Sequence, residues 1–207
     1  SPYGTTLPES TAPSRAQRNA DDAFRMLFVG RHIERKGIEH LIDAMAFLEG
    51  DRFKLVIVGH GDRTDALKER ALATGDARIE FAGKLSTEDL SKAYSEADVF
   101  VLPAVVDSKG DTEGLGVVLI EAAEIGLPLV GSDVGGIPDV VVDGESGLLV
   151  PSANPKALSD ALRRLADDPA LAARLVEGAR ARTRKFFSWN VVIPALMRVY
   201  RSATGKT

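Results

Sequence analysis

The 207-residue chain contains no cysteine. That removes disulfides and thiolate metal sites from consideration and suits a reducing compartment. It also lacks any uninterrupted apolar run near the roughly 18 residues of a membrane span, and no signal-peptide core opens it. An excess of positive charge is missing too: 26 basic against 30 acidic residues leave a formal net charge of −4. Such a balance argues against a general nucleic-acid binder. The dinucleotide fingerprint G-x-G-x-x-G is absent; Gly59-His60-Gly61 supplies only its first half, and after the second apolar run rather than the first. The chain starts at Ser1 rather than Met, which leads us to expect a longer parent protein.

What is present has the alternating periods of an α/β fold. Residues 1–23 are rich in Ser, Thr, Pro and Ala, without apolar periodicity, and read as a linker or N-terminal extension. From residue 24 to 207 the pattern is that of one domain with a full core. Short apolar runs read as buried parallel strands at 24–29, 53–58, 78–81, 99–102, 127–130 and 147–150. Between them, Ile38, Leu41, Ile42, Met45 and Leu48 form a helical stripe ending at Gly50. Ser86 with Asp89 reads as a cap for a helix to about Glu96. Asn154-Pro155 and Asp168-Pro169 each pair a cap residue with proline at the first helical position. A final helix follows Ser188, with Trp189, Ile193, Leu196, Met197 and Tyr200 on one side; Pro194 should kink it or mark its start. The expected architecture is a Rossmann-like doubly wound parallel sheet of about six strands, with helices on both faces and additional C-terminal helices. In that strand order the first and fourth strands are neighbours at the topological switch point, where ligands bind.

The loops leaving those two strands hold the chain's most unusual residues. After the first come Gly30, Arg31, His32, Ile33, Glu34, Arg35, Lys36 and Gly37. An arginine fork and a mobile lysine charge can together neutralise a diphosphate. After the fourth come Glu113, Gly114, Leu115 and Gly116, then an almost wholly apolar helix from Val117 that carries Glu121. A carboxylate in such a helix needs hydrogen-bond partners, and glycines at the helix start leave backbone N–H groups available to an anion or a sugar hydroxyl. Carboxylates for hydroxyls and a helix N-terminus for phosphate point to a nucleotide-sugar site. Gly83, Lys84 and Leu85 leave the third strand, where backbone could meet a base edge or simply turn the chain. His32 and His60 read as solvated or structural, having no partnered acid or nucleophile nearby. The polar loop 107–111 offers only carboxylates and a lysine, which suits a lid or an acceptor contact better than a metal. Gly135-Gly136 reads as a turn with one edge lining the site.

The ordered set of Gly30-Arg31, Lys36-Gly37, Gly59-x-Gly61, Phe81-x-Gly83, Asp98 to Pro103, Glu113-x7-Glu121, Gly135-Gly136-x-Pro138 and Asp143-Gly144-x-x-Gly147 resembles the C-terminal, donor-binding half of family 4 (group 1) glycosyltransferases of the GT-B fold. The likeness runs from about residue 24 to 200. It implies that Arg31 and Lys36 hold the donor diphosphate and that Glu113 meets the hydroxyls of the transferred sugar. The backbone of Gly114, Leu115, Gly116 and Val117 would approach sugar and phosphates, and Glu121 would bind the ribose. It further implies transfer with retention, no metal in the site and no cofactor beyond a UDP-, GDP- or other nucleoside-diphosphate hexose. Absence of an Asp-x-Asp pair accords with that. Gly116 departs from the pattern, standing where relatives often have proline.

The acceptor-binding N-terminal domain, with the family's usual active-site histidine, has no counterpart among these residues. The chain alone is therefore expected to bind donor but to transfer little sugar. Its parent would act in the cytoplasm or at the inner membrane face, on a glycan or lipid-linked acceptor. Two rivals remain: a GT-B-like sugar-nucleotide epimerase, and a non-catalytic nucleotide-sugar-binding module. An exposed apolar face near Trp189 and Tyr200 would count against the second.

Overall fold

The structure, a computed structural model, describes residues 23–204. The linker expected over residues 1–23 thus lies outside the described residues, apart from Ala23.

Six strands build one all-parallel sheet: β1 (Phe24–Val29), β2 (Phe53–Val58), β3 (Ile79–Gly83), β4 (Val99–Leu102), β5 (Leu129–Ser132) and β6 (Leu148–Val150). Their order is β3-β2-β1-β4-β5-β6, so β1 and β4 do lie side by side at the switch point. Register is continuous from Phe24↔Phe53 to Val29↔Val58 on one side of β1, and Met26 pairs with Val99 on the other. Apart from Arg25 the two central strands are apolar, because both sheet faces are covered; all four residues of β4 are buried.

The helices are α1 (Ile38–Ala44), α2 (Thr64–Thr74), α3 (Thr87–Glu96), α4 (Val117–Ile125), α5 (Ile137–Val140), α6 (Pro155–Asp167), α7 (Pro169–Phe186) and α8 (Trp189–Thr204). The first, second and sixth pack together, while α3, α4, α5 and α7 form a second group. Caps fall where the sequence places them. Ser86, Asn154 and Asp168 accept hydrogen bonds from the backbone N–H of Asp89, Ala157 and Leu171, each closing one orphan donor of a helix start.

Four boundaries differ from expectation. The third strand starts at Ile79 and runs on to Gly83, because Arg78 turns its guanidinium to Asp76 and to three carbonyls of the 45–50 segment. The fifth begins two residues late, after Pro128, which has no N–H for the ladder. The sixth begins at Leu148 rather than at Gly147. The 38–48 stripe stays helical, but its last part, Met45–Phe47, tightens to a 3-10 turn. Pro194 lies inside α8 and does not mark its start. Trp189, Ile193, Met197 and Tyr200 are 42–59% exposed, so much of this stripe faces outward. Leu196's side chain lies outside the described part. No described helix is long and apolar enough to cross a membrane.

Candidate nucleotide-sugar site at the switch point

The loop after β1 ends in a short 3-10 turn, Glu34–Lys36, closed by Gly37 in the left-handed region at φ 61°. A Cβ at Gly37 would overlap the carbonyl oxygen of Pro103; glycine is what lets the two loops touch. Val105 N–H donates to the Arg35 carbonyl at 2.9 Å. Ser108 donates from backbone and hydroxyl to the Glu34 carboxylate, at 3.0 and 2.7 Å. These bonds tie the loop after β1 to the loop after β4. The 107–111 segment is thus pinned at Ser108, and inside it Asp107 accepts from the N–H groups of Lys109 and Asp111.

The tie brings Lys36 and Glu113, 77 positions apart, to an Nζ–Oε2 distance of 2.5 Å, with each side chain 13% exposed. Glu113 is held from behind as well, since Gly136 N–H donates to its carbonyl at 3.0 Å. Side chains at Gly135 and Gly136 would overlap the carbonyls of Glu113 and Gly114, so the glycine pair is both turn and backstop. Gly30 lies under this ion pair, its missing Cβ 3.8 Å from the Lys36 stem.

Beside Glu113, α4 begins at Val117 with Gly116 as its cap residue, at φ 68° and with no side-chain cap. No acidic residue occupies the first turn. An uncapped helix start of this kind presents partial positive charge. Leu115 and Val117 are partly buried and Gly114 is exposed. Glu121 lies one turn further on, partly buried, and receives the hydroxyl of Tyr94 on α3 at 3.4 Å. Tyr94 is fully buried and stacked on Phe100 of β4, with ring centroids 5.8 Å apart. Burial, and then the nearby Glu121 charge, push its phenol far above the ordinary tyrosine range, so it stays protonated.

Arg31 is exposed at the mouth. Gly83, at φ 69°, accepts from Gly59 N–H at 2.8 Å, with open space where its side chain would be. Lys84 is exposed and Leu85 rests partly on the core. Lys36, Glu113, Gly30 and the start of α4 thus converge, and Glu121 adjoins them, while the Gly83 turn lies beyond β2.

His32 is structural and not solvated. It is fully buried between Phe28 and Phe81, with Nδ1 3.0 Å from Thr64 Oγ1. The threonine hydroxyl donates to the Gly61 carbonyl and lies 3.3 Å from His60 Nδ1, so it gathers both imidazoles at one turn. Burial, then His60 and Lys68, lower its pKa. Gly59 and Gly61 owe their lack of side chains to this packing: Cβ atoms there would overlap the backbone of Gly30 and of His32. The sequence reading missed Tyr94, which has the spacing of a plain core residue, and Glu34, which reads as one charge in a charged loop.

Comparison with known proteins gives a consistent picture. The chain is 35% identical over 180 residues to an amylovoran biosynthesis glycosyltransferase of Erwinia amylovora, across 85% of this chain and 44% of that protein. It spans about half the length of the curated relatives it matches. The solved sucrose-phosphate synthase from Thermosynechococcus elongatus shares 32% identity at a TM-score of 0.75, over 93% of this chain and 48% of that one. An Anabaena protein in complex with UDP-glucose shares the fold at 20% identity and a TM-score of 0.75, over 90% of this chain and 50% of that one. The family described as glycosyl transferases group 1 matches residues 10–182. A match over that much of the chain, on a sheet of this order, establishes that the protein belongs to the group 1 glycosyltransferases.

Proposed function

We propose that this chain is the donor-binding half of a retaining, metal-independent glycosyltransferase that moves a hexose from a nucleoside diphosphate to a glycan or lipid-linked acceptor. The observation that carries this reading is the Lys36–Glu113 pair, set between the β1 loop and the bare start of α4. It offers a cation and a helix dipole for phosphate next to a carboxylate for hydroxyls. In this reading the diphosphate lies against Lys36, Arg31 and the backbone of Gly114, Leu115, Gly116 and Val117. Sugar hydroxyls donate to Glu113, and the ribose meets Glu121. The nucleoside base rests near Gly83, Lys84 and Leu85.

The chemistry asked of such a site is help to the leaving group. As the bond from the anomeric carbon to the diphosphate oxygen breaks, negative charge grows on that oxygen. In this reading Lys36, Arg31 and the start of α4 lie against that oxygen beforehand, which would favour the transition state over the ground state. Loss of one such donor costs on the order of 10²–10³ in rate. Acceptor binding and catalysis would need the other half of the enzyme, and the exposed Trp189, Ile193, Met197 and Tyr200 stripe is the surface on which that half would rest. The same exposure speaks against a module complete in itself.

Thermal melting with UDP, GDP, ADP, dTDP and NAD tests the reading. A diphosphate at about 100 times its dissociation constant should raise the melting temperature by roughly 5–10 °C. The rise should vanish in Arg31→Ala and Glu121→Ala. Stabilisation by NAD alone would overturn the proposal, and so would rapid sugar transfer by the pure 207-residue chain.

A further inference from the structure

We infer that Tyr94 is a positioning residue for ribose recognition: its hydroxyl holds the Glu121 carboxylate that reads a ribose 2′-OH. This rests on the donor-site reading above, in which Glu121 meets the ribose.

Tyr94 occupies the last turn of α3, is fully buried, and stacks on Phe100 at an interplanar angle of 19°. Phe100 belongs to β4 and is itself fully buried. The ring therefore has no rotamer freedom to spare, and its position is set by the middle of the sheet. A buried phenol still requires a hydrogen-bond partner. The one it finds is Oε2 of Glu121, on a different helix. Since the phenol stays protonated, it is always the donor and the carboxylate always the acceptor. A glutamate has three side-chain torsions, and one anchored oxygen removes most of that freedom before any ligand arrives. Recognition of a hydroxyl by a fixed acceptor discriminates against the analogue that lacks it, because one hydrogen bond of the complex is then missing. At 3.4 Å the Tyr94–Glu121 bond is long. Hydrogen bonds of this kind commonly shorten when the ligand takes its place.

The test uses Tyr94→Phe, which keeps the ring stack and removes only the oxygen. Dissociation constants are measured by calorimetry on the full 207-residue chain, for whichever of UDP, GDP or ADP stabilises it most and for the 2′-deoxy counterpart. The wild type should prefer the ribonucleotide by about tenfold, and Tyr94→Phe should narrow this to about two- to threefold. Glu121→Gln should narrow it similarly, and adding Tyr94→Phe to that variant should change the ratio no further. Equal weakening of both nucleotides in Tyr94→Phe, with the ratio intact, would assign Tyr94 to packing and overturn the inference. If Glu121→Gln alone lost the ratio, the donor-site reading would stand and Tyr94 would fall. A wild type with no preference, or with no diphosphate bound, would remove the ribose reading and this inference with it.

Discussion

Two ion pairs in this domain are buried to nearly the same degree and do different work. Asp76–Arg78, at the start of β3, has side chains 13% and 18% exposed, against 13% for both members of Lys36–Glu113 at the switch point. Arg78 spends all five of its donors inside the protein, two bonds to the Asp76 carboxylate from Nε and Nη2 and three to the carbonyls of Met45, Leu48 and Gly50. Lys36 uses one of its three donors, on Glu113, and the other two have no partner among the described residues. The arginine closes off the end of the 3-10 turn and is complete. The lysine is neutralised but not satisfied, and it faces a helix start that is not capped either. In the reading proposed above, the unspent donors, and not depth of burial, separate a structural pair from a binding one.

The sharpest way to press that difference is to remove each cation. Arg78→Ala should lower the melting temperature by about 10 °C, because Asp76 and three carbonyls lose partners at once; breaking such a pair costs roughly 3–5 kcal/mol. Lys36→Met should lower it by only about 3 °C, since it removes one hydrogen bond where Arg78→Ala removes five. The rise produced by a nucleoside diphosphate should then be lost entirely in Lys36→Met and retained in Arg78→Lys. Comparable stability losses in the two alanine or methionine variants would dissolve the distinction.

A smaller effect comes from pH. His32 has its folded-state pKa depressed below the ordinary 6.5, so the folded state resists a proton that the unfolded chain accepts. Its contribution is present above 6.5 and is lost as pH falls through the folded value. Asp76, also depressed by Arg78, acts in the same direction but only below its ordinary 3.8. Urea unfolding at pH 7 and at pH 5 should show a drop that His32→Asn flattens. An equal drop in both proteins would place the sensitivity elsewhere.

The parts of the fold that the sequence could show were those governed by local pattern. Strands 24–29, 53–58 and 99–102 appear with the expected limits because each is a mostly apolar run stopped by Gly30, Gly59 or Pro103. The caps at Ser86, Asn154 and Asp168 are local chemistry too. Lys36 and Glu113 could be nominated because charges concentrated in the two switch-point loops are hard to explain otherwise. What the pattern could not reveal depends on distant chain. Arg78 looked like the first residue of a strand, and only the 45–50 carbonyls explain why it is not. His32 looked like one more polar residue in a charged loop, yet Thr64, 32 positions away, draws it inward. Tyr94 has the spacing of a core residue and is one; its hydroxyl's partner lies on another helix.

The stitching of the two switch-point loops has a mechanical meaning. Val105 to Arg35, Ser108 to Glu34 and Lys36 to Glu113 couple the rim across the β1–β4 seam. Cut at one place, the rim is still held at the others, so the two loops behave as a single stiff plate carried by the sheet. A plate of that kind keeps its shape, so whatever comes to rest on it meets the same rigid face at every encounter.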